Sequence, residues 1–271
     1  MALVEQSQED GIGWLTLNRP EKLNALSSVL LTEFDSAFAD LADSDDVRCI
    51  IIRGEGRAFS VGYDLAPENN LFADPDGGRI RSFTDWRFLR STIDRWLRVW
   101  RCPKPVIGAV HGYCMGGATQ LAVCCDLTVV ASDTVIGWPM LPIGGGLLAP
   151  TSEWLIGPKR AKEMSFIVGN KFSGEEAAAW GWANRSVPPE DLLDTVRGMA
   201  RKIAKVPPEV MMIKKRALNR IMDLQGFAES LYFGAEFDAI AHDSDGCASL
   251  AEQLEELGLK EAIKAYHGDG Q

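Results

Sequence analysis

The stretch that decides the fold is PVIGAVHGYCMGGATQLA, residues 105–122. It opens with a short run rich in β-branched residues, which predicts a buried strand. A turn at Gly116 and Gly117 follows, and the next residues favour a helix. Unpaired N–H groups at such a helix start form a natural site for developing negative charge. Close packing of a strand against a helix explains a lone glycine pair equally well, so a second signal is needed.

The second signal is RAFSVGYDL, residues 57–65, which leaves another apolar run through glycine and small residues. Gly62 allows the backbone to turn so that the N–H of Tyr63 points outward instead of into a strand ladder. Two glycine-marked turns after different strands are much more specific than one. Together they predict a site built from main-chain N–H groups.

The rest of the chain predicts an α/β fold with a largely parallel sheet and a helical tail. Strand patterns occur at residues 12–17, 49–52, 105–110 and 127–131, and helical spacing occurs at residues 23–42 and 82–100. Residues 66–81 read as a mobile loop. After Gly157 we predict a helix over residues 158–168 and a capping box at Ser173 and Glu176, with helix starts at Pro188–Pro189 and Pro207–Pro208.

Composition excludes several classes of function. The net charge of −10 opposes broad binding to nucleic acid, since phosphate neutralisation needs many Lys and Arg side chains. No signal peptide and no membrane-spanning apolar run is visible, so we expect a cytoplasmic protein that does not bind membranes. The six cysteines lack C-x-x-C spacing, and we expect reduced, buried thiols and no metal site.

Six segments in order resemble the enoyl-CoA hydratase/isomerase (crotonase) superfamily. They are NRPEKLNAL (residues 18–26), FSVGYDL (59–65), the 111–122 segment, CDL (125–127), FSGEEA (172–177) and WG (180–181). The resemblance implies a crotonase-like spiral of ββα units over residues 1–205 and a C-terminal helical region for trimerisation over residues 206–271. It also implies an acyl-CoA thioester as the partner, coenzyme A only as part of the substrate, no other cofactor, and a homotrimer or a dimer of trimers.

The resemblance also implies the roles of individual residues. The backbone N–H groups of Tyr63 and Gly117 match the family's oxyanion hole, which stabilises negative charge on the thioester oxygen. Asp64 recurs in the family without acting as the general base, so we read it as structural. The residues implied in substrate binding are Lys22, Leu23, Ala25, Arg57, Ser60, Gly62, Asp64, Leu65, Gly116 and Trp138. For Lys22 and Arg57, a solvated surface cation is the competing interpretation.

Two positions depart from the family pattern. The hydratase glutamates, one base and one acid, match Gln120 and Met140 here. An amide can orient water but cannot take its proton at neutral pH, and a thioether has no proton chemistry. The leading hypothesis is therefore an enoyl-CoA hydratase type of enzyme with an altered acid–base arrangement. Isomerisation, hydrolysis, decarboxylation, C–C cleavage and non-catalytic acyl-CoA binding remain open, as does a nucleotide-binding α/β protein.

Several further side chains are candidates without a selecting pattern. Tyr63, Tyr113, Trp138, Glu153 and Asp85 are possible contributors to the chemistry, whereas His111 reads as a buried, hydrogen-bonded histidine. Aromatic residues could wall an acyl pocket or pack in the core: Trp86, Trp96, Trp100 and Trp138. A basic cluster could attract CoA phosphates or pair with acids at a subunit contact: Arg79, Arg81, Arg87, Arg90, Arg95, Arg98 and Arg101.

Overall fold

A computed structural model describes residues 2–66, 82–138 and 152–267 of the chain. In chain order its strands are β1 (Val4–Glu9), β2 (Ile12–Leu17), β3 (Cys49–Gly54), β4 (Val106–Val110), β5 (Tyr113–Met115), β6 (Leu127–Ala131), β7 (Val135–Gly137), β8 (Lys171–Ser173) and β9 (Arg185–Val187). Its helices are α1 (Ser28–Asp43), α2 (Ser82–Arg101), α3 (Gly117–Cys124), α4 (Glu153–Phe166), α5 (Gly174–Trp180), α6 (Leu192–Ile203), α7 (Pro208–Leu224), α8 (Phe227–His242) and α9 (Asp245–His267).

The larger sheet has the order β1-β2-β3-β4-β6-β9, and every pair after the antiparallel β1–β2 hairpin is parallel. A smaller sheet has the order β5-β7-β8. The chain passes from β4 to β5 and then α3, and from β6 to β7, so it alternates between the two sheets. This alternation is the predicted spiral of ββα units, and the parallel sheet is confirmed.

The apolar runs account for the central strands. All residues of β2 and β4 are buried, and so are four consecutive residues of β3 starting at Cys49, because helices cover both faces of a parallel sheet. β1 was not predicted from the sequence, because five of its six side chains are exposed and its residues do not alternate between apolar and polar. It pairs through its backbone with β2 at the sheet edge.

The first helix was predicted to begin too early. Residues 20–22 form a short 3-10 helix, and Leu23 and Asn24 adopt positive φ values of 50° and 56°. α1 begins only at Ser28, where the Ser27 hydroxyl accepts a hydrogen bond from the Leu30 N–H. The apolar residues before this cap belong to a loop that contributes to the candidate site.

Later elements agree with the sequence patterns, with two shifts. The helix predicted to start at Pro188–Pro189 begins with a 3-10 helix over Pro189–Asp191, and α6 starts only at Leu192. α4 begins at Glu153 rather than at Pro158, although Gly157 breaks the helical geometry directly before that proline (φ 77°, ψ 163°). The capping box of Ser173 and Glu176 is present at the start of α5. The predicted loop at residues 66–81 and Met140 fall outside the described residues, apart from Ala66. No helix in the described part combines the length and apolar character needed to cross a bilayer.

Candidate active site

The loop before α1 is tied to the turn after β3. The buried Asn24 side chain donates to the carbonyls of Glu55 and Ala58 at 2.9 and 2.8 Å, and its oxygen accepts from the Arg19 N–H. The Ser60 hydroxyl donates to the Asn24 carbonyl at 2.8 Å. Asn24 is one of the few L residues that tolerates positive φ, so its type suits both its conformation and its bonds.

Backbone hydrogen bonds also connect this loop to the first glycine bend, which is the turn around Gly62 after β3. The Val61 N–H donates to the Leu23 carbonyl at 3.1 Å, and the Leu26 N–H donates to the Gly62 carbonyl at 2.8 Å. The Asp64 N–H then donates to the Leu26 carbonyl at 3.2 Å. Residues 61–64 are therefore held beside the loop by main-chain hydrogen bonds.

An ion pair fixes the end of this segment. Asp64 binds Arg19 at 2.5 Å, and both side chains are largely buried. Arg19 also donates to the Ala25 carbonyl, and the other Asp64 oxygen accepts from the Ala66 N–H. These bonds occupy both carboxylate oxygens of Asp64, which agrees with a structural role for this residue.

The bend at Gly62 lies close to the second glycine bend, which is formed by Gly116 and Gly117 before α3. Ser60 and Met115 are bonded across the bends, with the Met115 N–H donating to the Ser60 carbonyl at 3.1 Å. Gly62 has a φ of 89°, and a Cβ built on it would lie 2.7 Å from the Met115 carbonyl oxygen and 3.2 Å from the Gly117 nitrogen. Only glycine fits here, because any side chain would collide with the second bend.

Gly117 is the first residue of α3, after Gly116 with φ 50°. An N–H at this position has no acceptor within its own helix, and the helix dipole adds positive potential. A Cβ on Gly117 would lie 2.5 Å from Cε2 of the Tyr63 ring. The Gly62 backbone and the Tyr63 ring thus both border the start of α3.

A buried hydrogen-bond network lies behind the bends. The Tyr63 hydroxyl donates to Gln120 Oε1 at 2.9 Å, and the Trp96 indole N–H lies 3.1 Å from each of these oxygens. Burial raises the pKa of the Tyr63 phenol, so it keeps its proton at neutral pH. Trp96, one of the tryptophans considered for the wall of an acyl pocket, is fully buried, and its indole N–H contacts both Tyr63 and Gln120.

The remaining sequence candidates divide into near and remote groups. Ala25 is buried in the loop before α1, and Leu65 directly follows Asp64. Lys22, in the same loop, and Arg57, in the turn after β3, are exposed. Buried Trp138 directly follows β7 and packs edge-on against Phe172. His111 is partly buried and binds the Gly56 carbonyl at 2.9 Å.

Three arginines of the basic cluster form ion pairs within the chain. Arg95 and Arg98 both bind Asp35, at 3.0 and 2.8 Å, and Arg90 lies 3.7 Å from Glu236. Arg79 and Arg81 lie outside the described residues. For the three paired arginines the structure shows intrachain partners, a possibility that the sequence interpretation did not include.

Asp85 has a partner that the sequence did not reveal. Its buried carboxylate lies 2.6 Å from His242 Nδ1, which joins the first turn of α2 to the last residue of α8. Burial lowers the pKa of His242, but the bond and charge of Asp85 outweigh this effect, and the net pKa is raised. No local pattern marks His242, because the pair forms only through helix packing.

Comparisons with known proteins agree with this architecture. The model of the enoyl-CoA hydratase/isomerase family matches residues 7–255. "Probable enoyl-CoA hydratase echA8" of Mycobacterium bovis is 32% identical, over 93% of this chain and 95% of that protein. The short-chain-enoyl-CoA hydratase of Clostridium acetobutylicum is 30% identical, over 93% and 96%.

A solved structure is similar along nearly the whole chain. A crystal structure from Novosphingobium aromaticivorans, with the same family designation, is 39% identical and covers 99% of this chain and 96% of its own, with a TM-score of 0.90. The matched span includes both glycine bends and the network behind them. The chain therefore belongs to the enoyl-CoA hydratase/isomerase family.

Proposed function

We propose that this protein is an acyl-CoA enzyme of the enoyl-CoA hydratase type, in which the Tyr63 and Gly117 N–H groups bind the thioester oxygen. The observation that carries the proposal is the approach of the two bends, where a Gly62 Cβ would lie 3.2 Å from the Gly117 nitrogen. N–H groups fixed before the reaction stabilise charge without reorganisation as the enolate forms. The hydratase names of the two relatives support the same reaction class.

The CoA portion is proposed to run along the loop tied by Asn24. The residues proposed to line the substrate pocket are Leu23, Ala25, Ser60, Gly62, Asp64, Leu65, Gly116 and Trp138. Lys22 and Arg57 are exposed cations on this loop and its neighbouring turn, where phosphates could be neutralised. Coenzyme A belongs to the substrate in this scheme, and no separate cofactor is proposed.

Hydration of crotonyl-CoA by the full chain tests the reaction class. We expect turnover, and we expect it to persist within about tenfold in the double variant Gln120→Ala/Met140→Ala, since neither native side chain can exchange a proton. Loss of enoyl-thioester ultraviolet absorbance measures the rate. Binding of crotonyl-CoA without turnover would favour the non-catalytic alternative, and absence of binding would refute the proposal.

The helices after residue 205 are proposed to assemble a homotrimer or a dimer of trimers in the cytoplasm. Exposed apolar side chains occur on α7 and α8, namely Ile213, Leu218, Ile221, Leu224, Phe233, Phe237 and Ile240. Apolar surface of this kind is typical of protein contacts. The proposed units are residues 1–205 for the acyl-CoA site and residues 206–271 for assembly.

Sedimentation equilibrium tests the assembly. We expect a mass about three or six times the 29.7 kDa chain mass. Ile213→Glu/Leu224→Glu should lower it, because two charges would be buried in the contact. Val29→Glu, at an exposed apolar residue on α1, is the matched control. A wild-type monomer, or an unchanged mass in the double variant, would contradict the proposed interface.

A further inference from the structure

The orientation of the Gln120 amide is fixed by its neighbours. An indole N–H can only donate, so the Gln120 atom that lies 3.1 Å from Trp96 Nε1 must be the acceptor Oε1. The Tyr63 hydroxyl also receives this N–H at 3.1 Å and donates its own proton to Oε1 at 2.9 Å. The donor and the acceptor are therefore determined for each of these three hydrogen bonds.

Rotating the amide would place its NH₂ group against the Trp96 indole N–H, which can only donate, in a buried setting. Trp96 is 0% and Gln120 6% exposed, so water cannot relieve such a mismatch. The NH₂ group must then point away from Trp96 and Tyr63. Among the described residues, no acceptor for this group is found in the network around Gln120.

The position of Gln120 along α3 defines what its NH₂ group can reach. Gln120 is three residues after Gly117, which places both on one side of the helix and about 4.5 Å apart along its axis. The carbonyl oxygen and the keto oxygen of a 3-oxoacyl thioester lie about this far apart when the acyl chain is extended. An NH₂ group only donates and a keto oxygen only accepts, so the two are complementary.

We propose that Gln120 Nε2 donates a hydrogen bond to a keto oxygen on the third acyl carbon, so that the site takes 3-oxoacyl-CoA thioesters. Trp96 is the positioning residue that keeps the amide turned toward the ligand. The inference rests on the proposed thioester site but does not require hydration. It assigns Gln120 a binding role in place of the proton transfer that a carboxylate would perform.

Calorimetric titration with 3-oxobutyryl-CoA and butyryl-CoA tests this assignment, because the two ligands differ only in that oxygen. We expect the wild-type protein to bind the 3-oxo ligand about tenfold more tightly, the value of one good hydrogen bond. Gln120→Met should reduce this ratio to about one while butyryl-CoA affinity stays within about twofold. Gln120→Glu should reduce it further, because a carboxylate repels the keto oxygen.

Trp96→Phe keeps an aromatic ring but removes the donor, so the amide can turn and the tenfold ratio should fall. A purely structural loss would instead weaken both ligands equally. Trp100→Phe is the matched control on the same helix, since the Trp100 indole N–H donates to Asp223 and not to the Gln120 network. It should keep the ratio.

The outcomes separate the two proposals. Equal wild-type affinity for the two ligands overturns the role of Gln120 but leaves the thioester site standing. A preference that persists in Gln120→Met also overturns it. Failure of the wild-type protein to bind either ligand refutes the thioester site and, with it, the inference.

Discussion

Gly117→Pro is expected to lower kcat/KM for crotonyl-CoA by about 10²–10³-fold relative to Gly117→Ala. Both variants carry Tyr63→Ser, because a Cβ on Gly117 would otherwise lie 2.5 Å from the tyrosine ring. Proline and alanine both add a Cβ, but proline lacks the N–H. The first helical position tolerates proline, so α3 should still form.

Circular dichroism and thermal unfolding of these two double variants provide the folding control. The predicted loss should appear mainly in kcat, because a bond to the developing oxyanion strengthens in the transition state. Equal kcat/KM values for the proline and alanine variants, both correctly folded, would show that the Gly117 N–H does not take part.

Lys215→Met is expected to lower the free energy of unfolding by about 3 kcal/mol, because it leaves a largely buried carboxylate without its cation. Lys215 Nζ lies 2.6 Å from Asp126 Oδ2 and 3.0 Å from the Lys104 carbonyl, and it ties α7 to the core. Burial already raises the pKa of Asp126, and Lys215 opposes this rise. Without Lys215 the folded-state pKa of Asp126 should rise further.

The sign of the pH dependence follows from that shift. An acid whose pKa is higher in the folded state destabilises the fold increasingly as pH rises from its unfolded value through the folded one. The stability difference between Lys215→Met and wild type should therefore shrink toward about pH 4, as measured by urea unfolding. Lys214→Met is the control at an exposed neighbouring lysine, with an expected change within about 0.5 kcal/mol. A loss that does not vary with pH would contradict the electrostatic explanation.

The sequence predicted the parts of the fold that depend on local pattern. The apolar runs of β3, β4 and β6 identify buried strands, and the serine and glutamate of the α5 capping box bond as their spacing indicates. β1 was missed because its exposed polar residues give no alternation. The start of α1 was misplaced because Leu23 and Asn24 adopt left-handed conformations that apolar spacing cannot reveal.

The candidate site was predictable only in part, for the same reason. Gly62 and Gly117 stand out in the sequence, since few other residues could occupy bends that approach so closely. The contact of Trp96 with Gln120 joins residues from two helices, and the pair of Asp85 and His242 joins residues separated by 157 positions. Such partners are selected by tertiary packing, which no short-range spacing encodes.

The close approach of the Gly62 and Gly117 backbones has an evolutionary consequence. Main-chain atoms at these bends survive almost any exchange of neighbouring side chains, provided that both glycines remain. Mutation can therefore replace acids, amides or thioethers around them and change the chemistry without rebuilding the bends. Among relatives that have diverged in reaction, we expect the two bend glycines to be shared more widely than the residue type at position 120.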